Sequence, residues 1–220
     1  MIVISDIITS ASVLACNLAQ LGSEVSRCKA AGVDWIHYDV MDGQFVEQIS
    51  YGTPVLKCLR GSTDMFLDVH LMVLEPLKQV DFFADAGASL ICFHAESRSP
   101  VAQTLEAIRA RGLKAALAIK PATPVESIYE FLPLCDMVLV MTVEPGYGGQ
   151  GFIPETAEKI SALRQYANAH GFERLNIEVD GGINETTADI VKKAGANVLV
   201  AGTGLFKAAD MCAANEKLKA

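Results

Sequence analysis

No two of the six cysteines, Cys16, Cys28, Cys58, Cys92, Cys135 and Cys212, stand as a Cys-x-x-Cys pair. That absence removes the zinc-ribbon and thioredoxin-like readings and leaves reduced, mostly buried thiols as the expectation. Basic residues are outnumbered: 18 Lys and Arg against 26 Asp and Glu give a net charge of -8 and a pI near 5.0. Nucleic acid and anionic membrane surfaces call for the opposite balance, so neither is a predicted partner, and any anionic ligand must be captured by local geometry. No uninterrupted apolar run reaches the roughly 18 residues of a membrane-spanning helix. The apolar segment from Met1 to Ala15 has no Lys or Arg ahead of it and carries Asp6 inside it, unlike a secretory signal, so a cytoplasmic protein is expected. Nor does a Pro/Gly/Ser-rich or low-complexity tract divide the chain. One domain over residues 1–220 follows, of a length common for a single α/β barrel.

What is present is alternation. Short β-rich runs, Ser10 to Leu14, Trp35 to Val40, Met65 to Leu71, Leu90 to His94, Ala115 to Ile119, Met137 to Met141, Leu175 to Val179 and Val198 to Ala201, are separated by amphipathic stretches. Among the latter are Leu18 to Ala31, Pro76 to Ala86, Val101 to Arg111, Pro154 to Ala169 and Thr186 to Ala194, where apolar residues recur at three and four. Glycine follows these helices as Gly32, Gly87, Gly112, Gly171 and Gly195, where a left-handed residue closes a last turn. Several strands are apolar on both faces, as in a parallel sheet sheathed by helices. About eight βα units at even spacing favour a closed (β/α)8 TIM barrel over a doubly wound open sheet.

In such a barrel active sites form at the C-terminal ends of the strands. The two-residue side-chain period puts His37, Asp39 and Met41 on one face of the second strand, and His70 and Asp180 end two further apolar runs. Each alone reads as a hydrogen-bonded polar residue in the barrel mouth. Together, two imidazoles and two carboxylates suit one divalent metal ion, and the ligand types leave Zn²⁺, Fe²⁺, Mn²⁺ and Co²⁺ open. Glycine-rich loops follow three late strands: Glu144 to Gln150, containing Gly146, Gly148 and Gly149; Gly181-Gly182; and Gly202-Thr203-Gly204. Their backbone N–H groups can cradle a phosphate without a lysine, at the usual phosphate position of these barrels. His94 and Glu96 read first as a structural hydrogen-bonded pair and otherwise as a pair that backs the metal ligands or reaches the pocket, Lys120 as a solvent-facing or phosphate-facing cation, and His170 as a surface or capping residue.

Five segments carry a resemblance: Ser12-Val13-Leu14, His37 to Val46, Asp68 to Val73, Met141 to Gln150, and Glu178 to Ile183. In this order and spacing, across about Ala11 to Phe206, they closely resemble the ribulose-phosphate 3-epimerase family. The resemblance implies a phosphosugar-binding (β/α)8 barrel that interconverts D-ribulose 5-phosphate and D-xylulose 5-phosphate by inverting C3. It implies His37, Asp39, His70 and Asp180 as metal ligands, with Asp39 and Asp180 also the acid/base pair. It further implies that Ser12 and His70 contact substrate, that Met41, Met72 and Met141 line the pocket, and that Gly146, Gly148, Gly149, Gly181, Gly182, Gly202 and Thr203 hold substrate and phosphate. A homo-oligomer is implied as well. The chemistry agrees, because inverting a carbon beside a ketone requires a proton to leave one face and another to arrive on the opposite face. Two carboxyl groups, one ionised and one protonated, are the minimum for this.

The chain departs from the family pattern at Ala11, usually proline, at Glu47-Gln48, usually Pro-Asn, and at Ala15-Cys16-Asn17, usually Ser-Ala-Asp. These departures bear on the substrate, and a 3-epimerase of a hexulose phosphate such as D-allulose 6-phosphate is the nearest alternative. The related decarboxylases and aldolases carry Asp-x-Lys-x-x-Asp at the third strand, where this chain has Asp68-Val69-His70-Leu71-Met72-Val73. A non-catalytic phosphosugar sensor is the alternative outside enzymes, and the two retained carboxylates count against it.

Overall fold

The computed structural model describes residues 6–220; the start of the Met1 to Ala15 segment, residues 1–5, lies outside the described residues. Eight parallel strands close into a barrel in sequence order: β1 (Ile8–Ser12), β2 (Trp35–Met41), β3 (Phe66–Met72), β4 (Leu90–His94), β5 (Lys114–Ile119), β6 (Met137–Met141), β7 (Asn176–Asp180) and β8 (Val198–Ala201). β4, β6 and β8 have the boundaries expected from sequence. β1 begins two residues earlier, because Ile8 already pairs with Val198 on β8, and it stops at Ser12, where a 3₁₀ turn over Val13–Ala15 takes the chain away. β7 runs one residue further, since Asp180 still pairs with Met141 and Val200.

The helices between the strands are α1 (Leu21–Ala30), α2 (Thr53–Ser62), α3 (Val80–Asp85), α4 (Val101–Ala110), α5 (Thr156–Ala169), α6 (Glu185–Ala194), the one-turn α7 (Thr203–Phe206) and α8 (Met211–Lys219). Two predicted helices enter through a separate 3₁₀ turn, Leu18–Gln20 before α1 and Pro76–Lys78 before α3. Between β5 and β6 the crossover is 3₁₀ throughout, over Val125–Leu134, with Pro124 ahead of it and Pro133 inside. Proline removes an amide donor and clashes with the preceding turn, which disfavours an α-helix there. All five glycines expected to end helices have positive φ. Gly195 shows why a side chain is excluded: at φ 114° its N–H bonds back to Val191 and Lys192, and a Cβ would lie 2.7 Å from Cβ of Arg164. Arg164 is itself buried, its guanidinium donating to the carbonyl of Gly195 and the side chain of Asn197.

Alternation along the strands sorts side chains into two compartments. Ile36, Tyr38 and Val40 on β2, and Leu67, Val69 and Leu71 on β3, pack outward in the large core shared with the helices. Inside the barrel lie Leu90, Cys92, Ala116, Ala118, Met137, Leu139 and Val198, with Trp35 and Phe66 stacked beneath them at 4.4 Å. Buried polar side chains share this interior: Ser10, His37, Asp39, Asp68, His70, His94 and Glu178. The cysteines correct the expectation of mostly buried thiols. Cys28 and Cys92 are buried, Cys16 and Cys135 half-buried, and Cys58 and Cys212 exposed on helices, all six unpaired. No helix among the described residues is long and apolar enough to cross a membrane.

Candidate active site

Strand register assembles the site. β2 and β3 pair His37 with Asp68, Asp39 with His70, and Met41 with Met72. On the other flank β1 sets Ser12 beside His37, and β6 sets Met141 beside Asp180. Residues two apart on one strand face the same way, so the β2–β3 seam presents a column: Asp68 and His37 lowest, Asp39 and His70 above, Met41 and Met72 at the mouth. Ser50 locks the top of β2, donating to the carbonyl of Asp39 and accepting from the amide of Met41.

His37, Asp39, His70 and Asp180 each offer one nitrogen or oxygen such that all four atoms lie within 4.8 Å of one another. Nε2 of His37 lies 3.2 Å from Oδ1 of Asp39 and 3.8 Å from Oδ2 of Asp180, while Nδ1 of His70 faces the same Asp39 oxygen at 3.4 Å. Nε2 of His37 is fully buried and makes no hydrogen bond. A buried polar atom left unpaired is costly, and two imidazole nitrogens with two carboxylates around it are donors that a divalent cation accepts. The residues therefore fit a metal ion. On its far side His37 is held by Asp68, Oδ2 of which lies 2.6 Å from Nδ1, with Glu178 3.7 Å away. An anchor of this kind on the far nitrogen sets a ligand imidazole's orientation.

The two aspartates are displaced in opposite directions. Burial works to raise both, but at Asp39 the charge of His37, whose Nε2 lies 3.2 Å away, outweighs it and holds the carboxyl well below the usual range. At Asp180 burial prevails over the opposing His37 charge, with Asp39 adding to it, and the pKa rises to about 6. Burial also opposes the charge on His37, yet Asp39 and Asp68 raise its pKa well above the ordinary value. Burial raises Glu178 strongly, helped by the neighbouring Asp68 charge. A pair of carboxyls pushed apart in this manner is the usual mark of an acid/base couple.

Above the tetrad opens a cavity of about 720 Å³, within the range of small-molecule sites. Ser12, Asp39, Met41, Met72, Met141 and Asp180 line its floor, and Gly146, Gly148, Gly149, Gly181, Gly182, Gly202 and Thr203 its wall. All the residues expected to touch substrate are thereby gathered at one place, except His70, which is fully buried beneath the floor. Gly182 is required where it stands: at φ 67° a Cβ would meet the backbone nitrogen of Phe152 at 2.5 Å.

Several contributors were missed from sequence. Lys207, just past α7, is the one Lys or Arg on the cavity wall among the described residues; nothing in its local sequence marks it. Asp68 and Glu178 share strand parity with His70 and Asp180, a signal that could have found them. His94 and Glu96 form the expected pair, 3.2 Å apart, but His94 also reaches Nε2 of His70 at 2.9 Å. Lys120 meets neither solvent alone nor the cavity wall; its Nζ lies over the Phe45 ring at 4.1 Å. His170 bonds the carbonyl of Tyr166 near the end of α5, as a capping residue does. Of the departures from the family pattern, Ala15 and Gln48 line the cavity, whereas Ala11 is buried in the outer core.

Residues 8–206 match the model of the ribulose-phosphate 3 epimerase family. The ribulose-phosphate 3-epimerase of Eremothecium gossypii is 44% identical over 214 residues, covering 92% of this chain and 87% of the relative. The chloroplastic ribulose-5-phosphate-3-epimerase of Arabidopsis thaliana is 45% identical over 218 residues, covering 98% and 77%. The Bacillus subtilis ribulose-phosphate 3-epimerase is 43% identical over 199 residues, covering 90% and 92%. Among solved structures, KGPDC from Streptococcus mutans superposes with a TM-score of 0.70 at 12% identity, covering 98% of this chain and 96% of that one. The 3-hexulose-6-phosphate synthase of Salmonella typhimurium gives 0.67 at 15%, covering 96% of each. At such identities these two likenesses show the fold alone.

Proposed function

The chain belongs to the ribulose-phosphate 3-epimerase family, and from that premise we propose that it inverts C3 of a ketose phosphate, interconverting D-ribulose 5-phosphate and D-xylulose 5-phosphate. The observation that carries the reading is the pair of buried carboxyls, Asp39 on β2 and Asp180 on β7. They come from strands separated by β1 and β8, face one cavity, and are shifted in opposite directions.

Asp39, held ionised, is the base that takes the C3 proton, and Asp180, able to hold a proton near neutral pH, returns one to the opposite face. In the reverse direction the roles exchange. Ser12 donates to Oδ2 of Asp39 at 2.7 Å and so orients the base. His37, Asp39, His70 and Asp180 would hold a divalent cation, with zinc, iron, manganese and cobalt all compatible with the donor set. When bound, that ion supplies Lewis-acid stabilisation of the negative charge that develops on the sugar oxygens as the enediolate forms. Met41, Met72 and Met141 close the floor with apolar surface and keep bulk water from the reacting carbon. The glycine loops after β6, β7 and β8 grip the remote phosphate, and binding energy spent there positions C3 between the carboxyls.

A second reading, 3-epimerisation of a hexulose phosphate such as D-allulose 6-phosphate, is favoured by one observation: Ala15 and Gln48, where the chain departs from its family, are both on the cavity wall. The single-domain organisation over residues 1–220, cytoplasmic placement and a homo-oligomeric state belong to the proposal too. The closed barrel supports the first, the unpaired cysteines the second and the family the third.

The test is solvent exchange. Metal-loaded protein incubated in deuterated water should place deuterium at C3 of ribulose 5-phosphate. Exchange confined to the six-carbon ketose phosphate would transfer the assignment to the hexulose enzyme, and binding without exchange to either sugar would replace catalysis with sensing.

A further inference from the structure

The tetrad does not explain why a second buried histidine sits behind His70. His94, at the C-terminal end of β4, is fully buried, and its Nε2 lies 2.9 Å from Nε2 of His70. On its other side Nδ1 of His94 lies 3.2 Å from Oε2 of Glu96. Oε1 of Glu96 accepts two donors from the loop after β5, the amide of Lys120 at 2.8 Å and the hydroxyl of Thr123. An unbroken chain therefore runs Asp39, His70, His94, Glu96, Lys120 and Thr123, from the cavity floor to the edge of the barrel.

With both imidazoles neutral, the protons in this chain have one consistent arrangement. With Oε1 taking two donors, Glu96 is an anchored carboxylate and can only accept from His94, so Nδ1 of His94 carries hydrogen. A neutral His94 then has a lone pair on Nε2, which must receive the Nε2–H of His70. That leaves Nδ1 of His70 with its lone pair aimed at the tetrad, toward Asp39 Oδ1 at 3.4 Å. A lone pair facing a carboxylate oxygen is repulsive unless a cation stands between them.

We propose that Glu96, acting through His94, is a positioning residue that fixes the His70 tautomer with Nδ1 free to ligate a metal ion. The inference rests on the tetrad being a metal centre. It deepens that reading by making metal affinity depend on a residue that touches neither the ion nor the sugar. His37 is anchored differently, by direct contact with Asp68, so the two ligand imidazoles are held by separate devices. Phe45 packs against the His94 ring at 4.9 Å and carries the Lys120 ammonium over its own face, covering the fully buried inner part of the relay.

Glu96→Gln tests this at constant shape. Lys120 N–H and Thr123 still require an acceptor at the Oε1 position, so the amide oxygen goes there and the NH₂ faces Nδ1 of His94. His94 must then accept at Nδ1 and donate from Nε2, which drives the His70 hydrogen to Nδ1 and blocks ligation. Zn²⁺ affinity, measured by chelator competition on the full chain, should fall by about 10- to 100-fold, the range seen when anchors behind ligand histidines are removed. Two-bond ¹H–¹⁵N correlation spectra of the metal-free variant should show His70 protonated on Nδ1. Equal zinc affinity in variant and wild type would overturn the relay while leaving the metal centre standing; a wild type that binds no zinc would overturn the metal centre itself. Should the variant not fold, wild-type spectra decide alone: the relay requires His94 to carry hydrogen on Nδ1, and hydrogen found on Nε2 refutes it.

Discussion

Ser12 donates its hydroxyl to Oδ2 of Asp39 at 2.7 Å, while Oδ1 of the same carboxylate faces His37 and His70. Oδ2 of the base is thus held before substrate arrives, by a hydroxyl from a neighbouring strand and not from Asp39's own. A hydrogen bond to a charged group contributes about 1.5–3 kcal/mol. Ser12→Ala should lower kcat/KM by about 10- to 100-fold with little change in melting temperature, since the hydroxyl is small and lies at the cavity floor. Steady-state kinetics beside a thermal melt checks this, and an unchanged kcat/KM removes the orienting role.

Asp180→Asn preserves size and removes the group that can carry a proton near neutrality. General acid/base groups contribute about 10²- to 10⁴-fold, so turnover should fall by at least that range while the circular dichroism spectrum stays native. Retained turnover would reject the acid/base role of Asp180.

Most of this architecture could be read from residues, for a physical reason. Parallel strands buried on both faces give continuous apolar runs, and the closing glycines mark where each helix must end; both signals are local. The ionisable tetrad was legible too, because period-two alternation places His37 with Asp39 and the strand ends place His70 and Asp180. What escaped depends on register. That Asp68 anchors His37 follows from pairing β2 with β3 at one offset. That His94 reaches His70 depends on the barrel curving β4 toward the same axis. Lys207 comes to the cavity only because α7 lasts one turn. The 3₁₀ crossover at Val125–Leu134, packed through Val125, Ile128 and Leu132, was not read from the sequence.

Lys207 brings one positive charge to the wall of an acidic protein's cavity. A charge at a rim acts mainly on capture and is screened by salt. Lys207→Met should raise KM several-fold and leave kcat within about twofold, and the difference from wild type should shrink at high ionic strength, where the Debye length falls to about 3 Å at 1 M. A loss confined to kcat would instead place Lys207 against the reacting part of the sugar.

The cysteines give a prediction about accessibility that is independent of catalysis. Burial pushes the thiols of Cys28 and Cys135 up to about 12 and that of Cys16 to about 11, and it drives Cys92 well above its ordinary value. Only the thiolate reacts, so at pH 8 these four should be inert while exposed Cys58 and Cys212 are modified. Titration of native protein with a chromogenic disulfide should give two fast equivalents, and six after unfolding in guanidinium. Four or more fast equivalents in the native state would mean that the helical shell opens on the experimental timescale.

Metal binding should also register as stability, because the four donor side chains come from β2, β3 and β7 and a shared ion ties together strands that are not all neighbours. A ligand bound only by the native state stabilises by about 2.7 kcal/mol at a free concentration of 100 Kd. For a chain of this size each kcal/mol raises the melting temperature by about 2–4 °C, so zinc should raise it by about 5–10 °C. Asp39→Asn removes one donor charge and should abolish most of that rise, whereas ions adsorbed on the acidic surface would stabilise variant and wild type alike. A rise of equal size in both proteins would therefore mean that the stabilising ion is bound somewhere other than at the tetrad, and chelation should then leave epimerisation intact.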